Sequence, residues 1–276
     1  MTPTSVMSVS HLDASTVEQR VEYRVLRPAD WTPGETLPLV LHLHGALSSS
    51  TSLELARPLY DELWAEGALP RAVVACPSVP TTGGFYIDWP GGPAWETFTA
   101  RELPEHLAAQ YGPFSATGLV GASMGGYAVL KIAFAALHRF AVVAALSPAV
   151  FPGEAPEEVP DRNIPSVLGQ LHAAMGGGTG DAASYTANSV HGRARSNAAA
   201  LRAAQTPLLL DCGAADEYLL HEGAEHLHGV LTALAVPHTF RLVEGAGHLG
   251  PAAETRTREA IRFVGEALQH AHATTA

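Results

Sequence analysis

The feature that most narrows the fold is a near-continuous apolar run that keeps returning. Pro38–Gly45 reads PLVLHLHG, and the same kind of run recurs at Arg71–Cys76, Thr117–Gly121, Ala141–Leu146, Pro207–Cys212 and His238–Val243. Runs without polar alternation mark strands covered on both faces. Helical patterns separate them: Ser52–Glu66, Trp95–Tyr111, Gly125–Leu137, Glu222–Leu234 and Glu254–His270. Strands alternating with helices predict an α/β chain with a mostly parallel central sheet and helices on both faces. Ahead of this series, Arg20, Glu22 and Arg24 interleave with Val21, Tyr23 and Val25. That alternation predicts N-terminal antiparallel strands with one wet face, for a sheet of about eight strands.

A chain of 276 residues without internal repeat or linker reads as a single domain over 1–276. One segment, 149–204, breaks the rhythm. It carries Pro152, Pro156, Pro160 and Pro165, the run Gly176–Gly180, and Ala-rich helical pieces. It is too long for a plain connection, so a lid or pocket wall is expected there. The Gly run is no phosphate loop, because it follows no strand and lacks a GK[ST] ending.

Composition excludes several function classes. Sixteen basic residues against 27 acidic give a net charge of −11. No Lys/Arg cluster tracks a phosphate backbone, so nucleic acid is not an expected partner. No uncharged apolar run reaches ~18 residues, so no membrane span is expected. The N-terminus lacks the basic start and apolar stretch of a signal peptide, so a cytoplasmic location is expected. The two Cys, Cys76 and Cys212, make neither a disulfide framework nor a zinc motif. His42 and His44 share a strand face, but no third ligand is visible, and neither metal nor organic cofactor is expected.

The chemistry is carried by Gly121-Ala122-Ser123-Met124-Gly125, a G-x-S-x-G pattern between an apolar strand and a helical run. In that context the Ser sits on a sharp strand-to-helix turn with its hydroxyl pushed out, and the flanking glycines let strand and helix approach. A nucleophilic Ser needs a base, and the base an orienting acid. Asp216 follows the run Pro207–Cys212, and His248 follows the run His238–Val243. Both therefore fall at the sheet edge that holds Ser123. Asp211 lies inside its strand, and Glu217 and Glu222 lie on the way into the next helix, so Asp216 is the expected acid. The oxyanion hole needs two N–H donors. Met124 supplies one; the other comes from the loop after His44-Gly45, with Ala46 first and Leu47 second.

With these residues in place, the chain resembles an esterase family of α/β-hydrolases. Its members include esterase D (S-formylglutathione hydrolase), feruloyl and acetylxylan esterases, and the antigen-85 mycolyltransferases. The most specific match is Gly84-Phe85-Tyr86-Ile87-Asp88-Trp89, followed by Trp95-Glu96-Thr97-Phe98 and Glu102-Leu103-Pro104. The resemblance implies the α/β-hydrolase fold, a Ser123–His248–Asp216 triad, and Ala46 and Met124 as oxyanion donors. It implies a serine carboxylesterase acting on small acyl or aromatic esters, with S-formylglutathione hydrolysis or acyl transfer as alternatives. Esterase D relatives differ after Asp88 and after the catalytic His, where this chain has Leu249-Gly250; this weighs against a glutathione thioester. Leu47 and Trp89 are the expected pocket residues. Trp95 reads equally as pocket or core.

Overall fold

The computed structural model describes residues 5–176 and 180–275, so Gly177, Gly178 and Thr179 of the glycine run lie outside the described residues. Its strands form one eight-stranded sheet in the order β1-β2-β4-β3-β5-β6-β7-β8. They are β1 (Ser5–Ala14), β2 (Gln19–Pro28), β3 (Leu39–Leu43), β4 (Val73–Pro77), β5 (Thr117–Ala122), β6 (Val142–Leu146), β7 (Leu208–Gly213) and β8 (Thr239–Val243). β1 and β2 form an antiparallel hairpin, with Ser5 opposite Pro28. β2 meets β4 antiparallel, and all pairs from β4 to β8 are parallel.

The apolar runs become central strands because the period-2 pleat feeds two cores at once. Leu39, Leu41 and Leu43 enter one cluster, while Val40 between them enters the other. Val143 and Ala145 point one way; Val142, Ala144 and Leu146 point the other. The second face is covered by α1 (Thr51–Ala65) and α10 (Pro251–Thr275), through Leu53, Tyr60, Leu63, Ile261 and Val264. The first is covered by α2 (Trp95–Thr97), α3 (Leu103–Tyr111), α4 (Met124–Ala135) and α9 (Leu220–Ala233).

The helical pattern over Trp95–Tyr111 is broken by a π turn at Phe98–Glu102. Pro104 has no N–H for the carbonyl of Ala100, and that carbonyl accepts from Arg139 Nη2 at 3.2 Å instead. The widened turn aims Glu102 at the β1–β2 turn, where its carboxylate accepts from the Ser15 and Thr16 amides at 2.6 and 3.0 Å.

Among the described residues, segment 149–204 holds four α-helices: α5 (Val167–Met175), α6 (Ala182–Asn188), α7 (Val190–Ser196) and α8 (Ala198–Ala204). Arg193 of α7 binds the Glu96 carboxylate and donates to the Lys131 carbonyl at 2.8 Å, which ties the segment to α2 and α4. Cys76 and Cys212 are buried, free thiols, separated by strands β3, β5 and β6.

Asp211 of β7 is fully buried and serves the frame. Its carboxylate meets Arg256 Nε of α10 at 2.6 Å and Arg241 Nε of β8 at 3.0 Å. Burial raises its pKa in spite of both guanidinium groups. Asp211→Asn leaves Arg256 buried without its counter-ion, which costs about 3 kcal/mol. Urea unfolding measures this; an unchanged midpoint would contradict the structural role.

Among the described residues three of the fourteen histidines, His42, His44 and His191, are buried, and burial lowers the pKa of each, most at His42 and His191. Burial, reinforced by His44, pushes His42 down to about 4. Burial and His226, opposed by Glu154, push His191 down to about 4 as well. Unfolded, each titrates near ~6.5. Between about pH 6.5 and 4 the unfolded chain takes up protons that the fold excludes, so stability falls as the pH is lowered through that window. The loss approaches about 3 kcal/mol per histidine. Denaturant midpoints at pH 7 and near pH 4.5 check it, and equal midpoints would refute it.

Candidate active site

β5 ends in a turn that places Ser123 at φ 57° and ψ −117°, a left-handed conformation rare for a side-chain-bearing residue. Local backbone bonds hold it: the Ser123 amide donates to Leu146 O at 2.9 Å, and its carbonyl accepts from Tyr127 and Ala149. The glycines act through close approach. A Cβ on Gly121 would lie 2.3 Å from Gly125 O, and one on Gly125 would lie 2.0 Å from Leu43 O. Gly126 is similarly pressed, with Pro148 Cα 2.9 Å from an ideal Cβ.

Asp216 and His248 stand at the same edge, on loops stitched together by their backbones. The Ala214 amide donates to Val243 O, and the Ala215 amide to Ala246 O, both at 2.9 Å. Gly213 makes this possible, since a Cβ there would lie 2.2 Å from Ala246 O. The outcome is a contact of 2.8 Å between His248 Nδ1 and Asp216 Oδ2. Asp216 is almost fully buried. Burial alone would raise its pKa, but the His248 bond and charge, the Tyr218 amide and the Ser147 hydroxyl hold it below the usual carboxylate range. The Tyr218 ring meets the imidazole edge-on, with centroids 5.0 Å apart.

Ser123 and His248 line one cleft of about 480 Å³, together with Ala46, Leu47, Ser147, Tyr218 and Leu220. Val167 and Leu168 of α5 form another wall, so segment 149–204 reaches the cleft. The Leu47 amide donates to Thr81 Oγ1 at 2.8 Å. The loop is braced through His44: the Val79 N–H donates to Nε2 at 3.0 Å, which leaves the proton on Nδ1 for Gly45 O at 2.7 Å.

Trp89 stands apart from this cleft. It lines a separate groove with Thr82, Phe85 and Gln170. Its loop is turned away because Asp88 is engaged in capping the next helix, accepting from the Thr97 amide at 2.9 Å and its hydroxyl at 2.6 Å. Trp95 is core, edge-on to Phe98. A wider open groove of about 900 Å³ near Asp88, Arg139 and Arg193 contains neither Ser123 nor His248.

Sequence reasoning missed the residues that brace the loops. Glu217, read as a helix-entry carboxylate, instead accepts from the His248 backbone amide at 2.7 Å. Arg256 donates to Gly247 O at 3.2 Å and to Ser147 Oγ at 2.9 Å. The only local signal for Glu217 is its place beside Asp216. For Arg256, more than a hundred residues beyond Ser147, there is none. Among the described residues no group of three or more His, Cys, Asp or Glu is placed to hold a metal ion, and no helix is long and apolar enough to cross a membrane.

Known proteins share this fold. A ferulic acid esterase shares the fold at a TM-score of 0.76 and 19% identity, over 96% of this chain and 99% of that one. So does an S-formylglutathione hydrolase from Agrobacterium tumefaciens, at a TM-score of 0.76 and 19% identity over 97% of each chain. A stretch of 78 residues is 38% identical to the MPT51 antigen of Mycobacterium leprae (strain TN), covering 26% of this chain and about a quarter (26%) of that protein. The family model described as "Putative esterase" matches residues 14–239. The chain, with its α/β-hydrolase sheet, belongs to that esterase family.

Proposed function

We propose that the protein is a serine carboxylesterase acting on small acyl or aromatic esters. The observation that carries this reading is the 2.8 Å contact of His248 Nδ1 with buried Asp216, beside a cleft into which the strained turn presents Ser123. Ser123 Oγ adds to the ester carbonyl carbon while His248 Nε2 takes its proton. Asp216 accepts from Nδ1–H, which keeps Nε2 free as the base and stabilises the imidazolium that forms.

The carbonyl oxygen becomes an oxyanion held by two amides. Met124 opens α4, so its N–H has no partner within the helix. The helix N-terminus adds partial positive charge there. The engagement of the Leu47 amide by Thr81 supports Ala46 as the second donor. As the tetrahedral centre collapses, His248 returns the proton to the departing alkoxide and the alcohol leaves. Water then adds to the acyl-enzyme with His248 as base. Collapse releases the acid, and Ser123 regains its proton from the imidazolium.

The test is direct. A fluorophosphonate probe labels the wild-type chain at Ser123, and Ser123→Ala abolishes both labelling and turnover of p-nitrophenyl acetate. Asp216→Asn retains the far-ultraviolet circular dichroism spectrum and lowers kcat by about 10²–10⁴-fold, through the wrong imidazole tautomer. An Asp216→Asn variant with most of its activity intact would overturn the acid assignment. An unlabelled Ser123 in folded protein would overturn the enzyme reading.

A further inference from the structure

The cleft that holds Ser123 continues beyond Leu249 into a second groove of about 360 Å³. Gly45, Ala122, Leu146, Leu249 and Thr257 line both. The outer wall of the groove is Leu55, Ala56 and Leu59 of α1, and its floor includes Val120 of β5. The interior polar side chains already have partners. His42 meets the Tyr60 hydroxyl at 3.1 Å and Ser52 Oγ at 3.0 Å. His44 is committed to Gly45 O and the Val79 amide. A polar guest would gain no directional contact from these groups, whereas a hydrocarbon guest leaves every one of their bonds intact.

Beside the polar Ser48 and Glu254, the rim carries large apolar side chains. The exposed large hydrophobics among the described residues are Val9, Leu47, Leu55, Tyr218 and Leu249. All but Val9 line these two clefts. Leu47, Leu55 and Leu249 are 86%, 81% and 72% exposed, so apolar surface is concentrated where the clefts open. His248 lines the first cleft but not the groove. The leaving alkoxide must face His248 to receive its proton, so the alcohol side of an ester belongs in the first cleft. The acyl side is left to the groove.

Resting on the esterase reading above, we propose that the groove between α1 and the start of α10 is an acyl-chain site, which extends the substrate range to esters of unbranched aliphatic acids. Leu55 and Ala56 are then specificity-determining residues.

The experiment compares kcat/KM on p-nitrophenyl acetate, butyrate, hexanoate and octanoate. In the wild type, kcat/KM rises by two- to fourfold per added methylene, as burial of about one CH₂ at a time implies. Ala56→Phe, which fills the groove, lowers the octanoate-to-acetate ratio by about tenfold or more. Leu55→Asp, at an exposed position that tolerates a polar group, lowers it about threefold and decides the matter should Ala56→Phe fail to fold. Leu168→Trp, in the His248 cleft, lowers kcat/KM on both esters together and keeps the ratio. A wild type active on acetate with a flat chain-length profile would overturn the groove and leave the esterase reading standing. So would a ratio that responds to Leu168→Trp and not to the groove variants. A wild type inert toward every ester and unlabelled by fluorophosphonate would overturn both.

Discussion

Everything at the site depends on a turn in which backbone meets backbone with no room for a side chain. Holding Ser123 at φ 57° costs on the order of 1–3 kcal/mol. The surrounding structure over-determines that conformation. β3, β5 and α4 converge so closely that Leu43 O lies 2.0 Å from where a Gly125 Cβ would sit. Helix α4 begins at Met124, directly after this turn. The strained turn and the start of the helix thus both rest on three glycines at 121, 125 and 126.

A second constraint holds that helix against the rest of the molecule. Lys131, the chain's only lysine, is fully buried, with Nζ 2.8 Å from Glu96 and 2.9 Å from Tyr86 O. Glu96 also binds Arg193 of α7. Burial lowers the pKa of Lys131, while Lys131 and Arg193 overcome burial to hold Glu96 below its ordinary value. A buried ion group of this kind adds little net stability, yet removing one member leaves an uncompensated charge. Its effect is to specify one arrangement of the Phe85–Trp89 loop, α2, α4 and α7. The aromatic-acidic segment that most resembles the esterase family therefore belongs to the frame. Phe85, Tyr86 and Ile87 are buried, Asp88 caps a helix and Glu96 anchors α4 through Lys131.

The sequence was most legible where local rules suffice. Apolar runs mark strands because a doubly covered strand has no wet face to alternate with, and β3 to β7 fall within the expected stretches or within a residue of them. Ser123, Asp216 and His248 were legible because each follows a strand that ends at one sheet edge. What stayed hidden depends on partners distant in the chain. The π turn after Thr97 requires knowing that Arg139 reaches Ala100 O. Trp89 reads as a pocket residue in a Pro/Gly loop, and only the capping of α2 by Asp88 shows which way that loop turns. Glu217 resembles any carboxylate ahead of a helix until its bond to the His248 amide is seen.

The placement of His248 shows why such braces are needed. β8 is an edge strand and is only partly covered, whereas β5 is central and mostly buried. An imidazole must nevertheless hold its orientation closely for Nε2 to serve as base. The loop obtains that rigidity from outside itself: Gly213 lets it lie against the acid loop, Glu217 holds its amide, and Arg256 holds the Gly247 carbonyl. Arg256 is in turn fixed by Asp211 and Ser147. The buried ion cluster under the sheet edge and the placement of the His248 loop are therefore one connected arrangement. Asp211, buried within its strand, reaches the histidine all the same, through the arginine that holds its loop.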